Sequence, residues 1–138
     1  MKRIASLVVM AYVILSLVLV TGCSLTNTVA GTGKALKPED IKSVQLYNLE
    51  QNLIKDYDYR EIKEIIDIYN NSRIDNSAYI EMITGNTMII TLKNDSVVRL
   101  TSYGSDKNIV ASGETNGEYY SFHLVCPQIA RILLATGV

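Results

Sequence analysis

The chain has 138 residues, 48% of them hydrophobic and 20% charged, and its 13 basic and 14 acidic residues leave a formal net charge of -1. This length accommodates one domain, and without a basic excess the chain lacks the electrostatic footprint of nucleic-acid binding, so DNA and RNA are not expected partners. Two cysteines supply neither a disulfide framework nor a Cys-rich zinc module, so an apolar core has to hold the fold.

The apolar residues are unevenly spread. Lys2 and Arg3 precede an almost unbroken apolar run from Ile4 to Val20, the pattern of an export signal whose charged start stays in the cytoplasm. Val20-Thr21-Gly22-Cys23 follows. This quartet resembles the bacterial lipobox, in which an aliphatic residue, a small residue and Gly or Ala precede a lipid-bearing Cys. The resemblance implies cleavage between Gly22 and Cys23 and a diacylglyceryl group on the Cys23 sulfur, with acyl chains such as palmitate. Each buried acyl CH₂ contributes about 0.8 kcal/mol, and two chains anchor stably where one is marginal. Loss of Lys2 and Arg3 with the signal leaves 11 basic and 14 acidic residues, so the lipid rather than charge is expected to hold the domain at an anionic membrane.

Residues 1–22 are thus read as a signal peptide and 23–37 as a lipidated flexible tether, rich in Thr, Gly, Ala and Asn with no hydrophobic period. Gly31-Thr32-Gly33-Lys34 is not a phosphate loop, because Thr28 stands where the first Gly belongs and Ala35 where Ser or Thr belongs. Residues 38–138 form the single expected domain.

From Ile41, Val44 and Leu46 alternate with Ser43, Gln45 and Tyr47, which predicts a strand. Glu50 to Asn52 reads as a turn and Leu53 to Tyr57 as a short return strand. Asp58 and Glu61 have capping-box spacing, and Ile62, Ile65, Ile66 and Tyr69 then follow at helical intervals. Arg60 with Glu64 and Lys63 with Asp67 are spaced to pair on its wet side, and Asn70 and Asn71 to end it in a left-handed cap. Turn chemistry at Gly85-Asn86, Asn94-Asp95, Gly104 to Lys107 and Asn116-Gly117 then divides Ala78 to Val125 into a meander of about five strands. The expected inward residues are Ile80 and Met82, Met88, Ile90 and Leu92, Val98 and Leu100, then Tyr120, Phe122 and Leu124. Pro127 opens a second helix with Ile129, Ile132 and Leu133 inward, stopped by Gly137. The predicted class is α+β: an antiparallel meander sheet of about five to seven strands covered on one face by two helices.

Chemistry is sparse. His123 is the only His, which excludes an HExxH site and multi-His metal centres, so neither metal nor cofactor is expected. There is no GxSxG elbow to give Ser105 or Ser121 a nucleophile's setting. Cys126 precedes a helix start three residues after His123, but a free Cys is more often a small buried hydrophobe. Asp56 with Asp58 and Glu61 with Glu64 read as capping and solvation, since Asp56-Tyr57-Asp58 lacks the further ligands of a calcium loop.

Tyr is the compositional oddity: nine in the chain, with one Phe and no Trp. Tyr47, Tyr79 and Tyr119 alternate onto the face opposite the core, and His123 shares the face of Tyr119. These four residues form the candidate binding surface, because Tyr gives amphipathic contact area at small entropic cost. The expected function is a membrane-anchored, non-enzymatic binding module facing outside the cytoplasm, held by Cys23 and meeting a protein or envelope partner. Two alternatives remain: an inhibitor, immunity or regulatory lipoprotein acting on a membrane-associated target, and a small envelope enzyme using His123.

Overall fold

The computed structural model describes residues 27–76, 85–103 and 105–135. The signal segment with Gly22 and Cys23, Tyr79, the strand expected around Ile80 and Met82, Gly104 and the stop at Gly137 lie outside the described residues.

Among the described residues, seven strands and two α-helices make one α+β layer pair. They are β1 (Ile41–Tyr47), β2 (Leu53–Asp56), α1 (Tyr59–Asn71), β3 (Arg73–Ile74), β4 (Thr87–Leu92), β5 (Val97–Ser102), β6 (Asn108–Thr115), β7 (Glu118–Val125) and α2 (Pro127–Leu134). All neighbours are antiparallel, in the order β2-β1-β4-β5-β6-β7-β3. The strands from β4 to β7 run as a meander and supply four of the about five strands expected from Ala78 to Val125. The β6–β7 hairpin turns at Asn116 and Gly117, both with positive φ, as an Asn-Gly turn of two residues requires. The β1–β2 hairpin extends the sheet beyond β4, and β3 closes the far edge beside β7.

The helices cover one face. In α1, the Asp58 side chain accepts from the Glu61 N–H while the Glu61 carboxylate accepts from the Asp58 N–H, completing the capping box. Ile62, Ile65, Ile66 and Tyr69 are the buried residues of α1, each worth about 1.5–3 kcal/mol by removal from water. Beneath the helices the sheet contributes Val44, Leu46, Met88, Ile90, Val98, Leu100 and Leu124 from the expected inward positions, with Leu92, Tyr120 and Phe122 partly buried. Ile109 and Ala111 of β6 complete it. α2 adds Ile129, Ala130 and Leu133, while Ile132 packs at the margin.

Three local expectations are corrected. First, the stretch read as tether is packed from Asn27 onward: Val29 is 0% exposed and Leu36 is also buried. The Asn70 side chain brackets Leu36, accepting from its N–H at 2.9 Å and donating to its C=O at 2.8 Å. Second, Asn70 and Asn71 do not end α1 in a left-handed cap. With Asn70 engaged on Leu36 and Asn71 donating to the Asp67 carbonyl, the helix ends at Ser72 in extended conformation, its hydroxyl donating to the Ile68 C=O. Third, neither Arg60–Glu64 nor Lys63–Asp67 closes into an ion pair among the described residues. Glu61 takes Lys55 instead at 2.6 Å, and the Lys63 ammonium lies over the Tyr59 ring. Gly85-Asn86 also has a role beyond a turn, since the Asn86 N–H and side-chain amide donate to the Leu133 and Ala135 carbonyls and tie β4 to the end of α2.

Candidate functional site

The sheet face opposite the helices carries the outward half of each strand's alternation. Three cross-strand rows on it follow from the register. One runs Tyr47–Thr87–Thr101–Val110–His123, the next Gln45–Ile89–Arg99–Ser112–Ser121, and beyond these Val97 and Tyr119 flank Glu114.

Tyr47 and His123 therefore share a row but stand four strand spacings apart, about 19 Å. Tyr119 lies four residues before His123 along β7, about 14 Å away. The structure brings these three onto one face without bringing them together; Tyr79, the fourth, lies outside the described residues. Tyr47 is half-buried and donates its hydroxyl to the Gln45 side chain at 3.0 Å. Tyr119 is 73% exposed.

His123 is half-buried rather than open to solvent, its ring against Tyr103 with centroids 4.5 Å apart. Its Nδ1 is buried without a hydrogen-bond partner among the described residues, and its backbone N–H donates to the Asn76 side chain at 3.3 Å. Cys126 is buried in the helix-side core, whereas His123 stands among the opposite-facing positions, so the two do not form a catalytic pair. Ser105 is spent on its turn, accepting from the Lys107 N–H and the Asn108 amide. Among the described residues no group of His, Cys, Asp and Glu has the arrangement of a metal site, and no helix is long and apolar enough to cross a membrane.

The concave part of the open face lies at the Tyr119 end. Val97, Arg99, Ser112, Gly113, Glu114 and Tyr119 line a shallow depression of about 480 Å³. Around Val97 and Glu114 it adjoins a second depression of about 390 Å³, at the Asn94–Asp95 and Asn116–Gly117 turns. A smaller hollow near Lys34 and Tyr120 and a groove over Ile65, Ile68 and Ile132 lie on the helix side. His123 lines none of these four.

The register explains what gathers at the depression. Arg99 pairs with Ser112, so Glu114 is its diagonal neighbour, a separation of about 7–8 Å. Neither Arg99 nor Glu114 is in an ion pair among the described residues, and Val97 beside them is 39% exposed. A guanidinium, a carboxylate, a phenol and an aliphatic side chain thus stand together in solvent. Alternation alone turns Val97, Arg99 and Glu114 outward, but only the pairing of three strands shows that they meet Tyr119. Comparison with protein families, curated proteins and solved structures gives no match to this chain.

Proposed function

We propose that this chain is a lipid-anchored, non-catalytic binding module outside the cytoplasm, which takes a protein or envelope partner on its open sheet face around Tyr119. The anchor half of the reading rests on Val20-Thr21-Gly22-Cys23 behind a basic start and an apolar run. The binding half is carried by one observation: a Tyr left 73% exposed beside Arg99 and Val97 at the concave end of a face that the two helices do not cover. Tyr and Arg are among the residue types that dominate interface energetics, Tyr because its rigid ring orders at small entropic cost and Arg because its planar fork is pre-organised for the hydrogen bonds it makes. An inhibitory or immunity role uses the same face and differs in its target.

Photo-crosslinking in membranes from a reactive group placed at Ser121, exposed beside Tyr119, tests this. A defined neighbour is captured, and Tyr119→Ala or Arg99→Ala weakens capture at unchanged melting temperature. Capture unaffected by either substitution refutes the proposed face, and an unmodified Cys23 in the intact mass refutes the anchor.

A further inference from the structure

The open face of the sheet is nearly free of charge. Along the register, the outward positions of β1 and of β4 to β7 hold Ser, Gln, Tyr, Thr, Ile, Val, Asn and His, with Arg99 and Glu114 as their only basic and acidic side chains, in a chain with 20% charged residues. Lys42, at the bulge of β1, is taken by Asp95 at 2.8 Å. The wet half of a strand's alternation ordinarily carries polar and charged side chains, whereas the centre of a protein interface is depleted of charge and enriched in Tyr and Arg.

The two charges are placed for self-pairing. Arg99 stands opposite Ser112 and Val98 opposite Gly113, so Val97 is opposite Glu114. These four outward residues mark a rectangle of about 4.8 Å across the strands and about 6.7 Å along them, with Arg99 and Glu114 on one diagonal and Val97 and Ser112 on the other. A two-fold axis lying in the face along the Val97–Ser112 diagonal sets Val97 against Val97 and Ser112 against Ser112 of a second copy, and brings each Arg99 to the other copy's Glu114. The axis makes about 36° with the strands, so the strands of the two copies cross at roughly 70°, near the orthogonal class of sheet packing. Tyr119, one strand beyond Glu114, then falls over β5 of the second copy. A face five strands wide and about seven residues long measures roughly 24 by 23 Å, or about 550 Å², at the lower edge of the about 600–1,000 Å² that each partner of a standard interface buries.

We infer that the partner of the open face is a second copy of this chain, held in a two-fold pair by reciprocal Arg99–Glu114 contacts around Val97 and Ser112. The inference rests on the binding role proposed for this face and names its occupant. A different partner could be met by charges of any sign and order. One cation and one anion set across a diagonal are what a patch needs to complement its own image, as a closed two-fold interface requires.

The test uses the full chain in membranes. Val97→Cys and, as a collisional control, Lys37→Cys, exposed beside Leu36 on the helix side, are each made in a Cys126→Ala background and oxidised, and the disulfide is located by mass spectrometry. Should Val97→Cys fail to fold, Ser112→Cys replaces it. Position 97 forms the symmetric disulfide several-fold faster than position 37. Arg99→Glu or Glu114→Arg alone lowers its rate to that of the control, and the two together restore it, because like charges then face one another in each single variant and opposite charges in the double. Trapping at 97 no faster than at 37 overturns the second copy as partner, and failure of the double variant to restore trapping overturns the reciprocal contact. Where the self-pairing fails and the reactive group at Ser121 captures a different protein in a Tyr119-dependent manner, the binding role of the face stands without it. Where Ser121 captures nothing, both readings fall.

Discussion

Val29→Ala separates a packed N-terminal segment from a loose one. Val29 is fully buried between the Ala30–Thr32 turn and the start of β3. Removing two methyl groups forfeits about 1.6 kcal/mol of transfer free energy at about 0.8 per carbon, and incomplete collapse of the cavity raises this toward 3 kcal/mol. For the 100 described residues, an unfolding entropy near 2.1 cal/mol/K per residue converts 1.6 kcal/mol into a fall of about 8 °C. The assay is thermal unfolding followed by circular dichroism, with urea unfolding as a second measure and Lys37→Ala as a control, since Lys37 is exposed in the same segment. Lys37→Ala stays within about 0.5 kcal/mol of the parent chain. A Val29→Ala chain melting within about 1 °C of the parent refutes the packing and restores the full tether.

Two further outcomes follow from the core and the helix cap. Tyr69 is fully buried, and its hydroxyl neighbours that of Tyr120 without meeting hydrogen-bond geometry; burial first, and the interaction with Tyr120 second, push its ionisation well above the ordinary phenol range. Tyr69→Phe therefore leaves urea stability unchanged or raises it by up to about 1–3 kcal/mol, and a loss above about 1 kcal/mol would reveal a hydrogen bond to that hydroxyl. At the start of α1, the Lys55 ammonium and then the Asp58 N–H hold the Glu61 carboxyl below its usual range. A lowered folded-state value stabilises above the ordinary carboxylate pKa and ceases to do so as pH falls through the lowered value. The acid limb of the melting-temperature profile is accordingly shallower for Glu61→Gln, and two superimposable limbs would contradict the assignment.

The parts of this fold that were legible in the sequence are those whose signal repeats. Ile62, Ile65, Ile66 and Tyr69 recur at helical spacing behind a capping box, and the alternation through β4, β5 and β7 separates Met88, Ile90, Val98, Leu100 and Leu124 from their outward neighbours. The illegible parts depend on single, long-range contacts. Val29 and Leu36 stand isolated among Thr and Gly because a three-residue turn and one bridge are too short to show a period. The side chain that secures Leu36 lies 34 residues away. Alternation also assigns a face without assigning neighbours. It placed Tyr47, Tyr119 and His123 on one side of the sheet, yet the strand order separates them, and the same order gathers Arg99 and Glu114 beside Tyr119. Strand order depends on which edges close best over the helices, and the 2.0-residue period carries no record of that.

The packed N-terminus and the exposed Tyr119 bear on one another through the length of β6 and β7. A domain on a long coil presents its binding face at every angle, so much of its time near the membrane is spent in unproductive orientations. With Cys23 acylated as proposed, fastening Asn27 to β3 would narrow that range of angles, because the four Cα steps from Cys23 to Asn27 cover at most about 14 Å. On that reading, a partner engaging Arg99 and Tyr119 would be selected by where its complementary surface stands relative to the bilayer as well as by chemistry. Lengthening the segment before Asn27 relaxes that selection without altering a single side chain on the open face. Crosslinking from that face should therefore become less selective in a chain with about ten Gly-Ser residues inserted between Ser24 and Leu25, whereas Tyr119→Ala should weaken capture by the same factor in the inserted and parental chains, because contact chemistry and presentation at the membrane act on separate steps of the encounter.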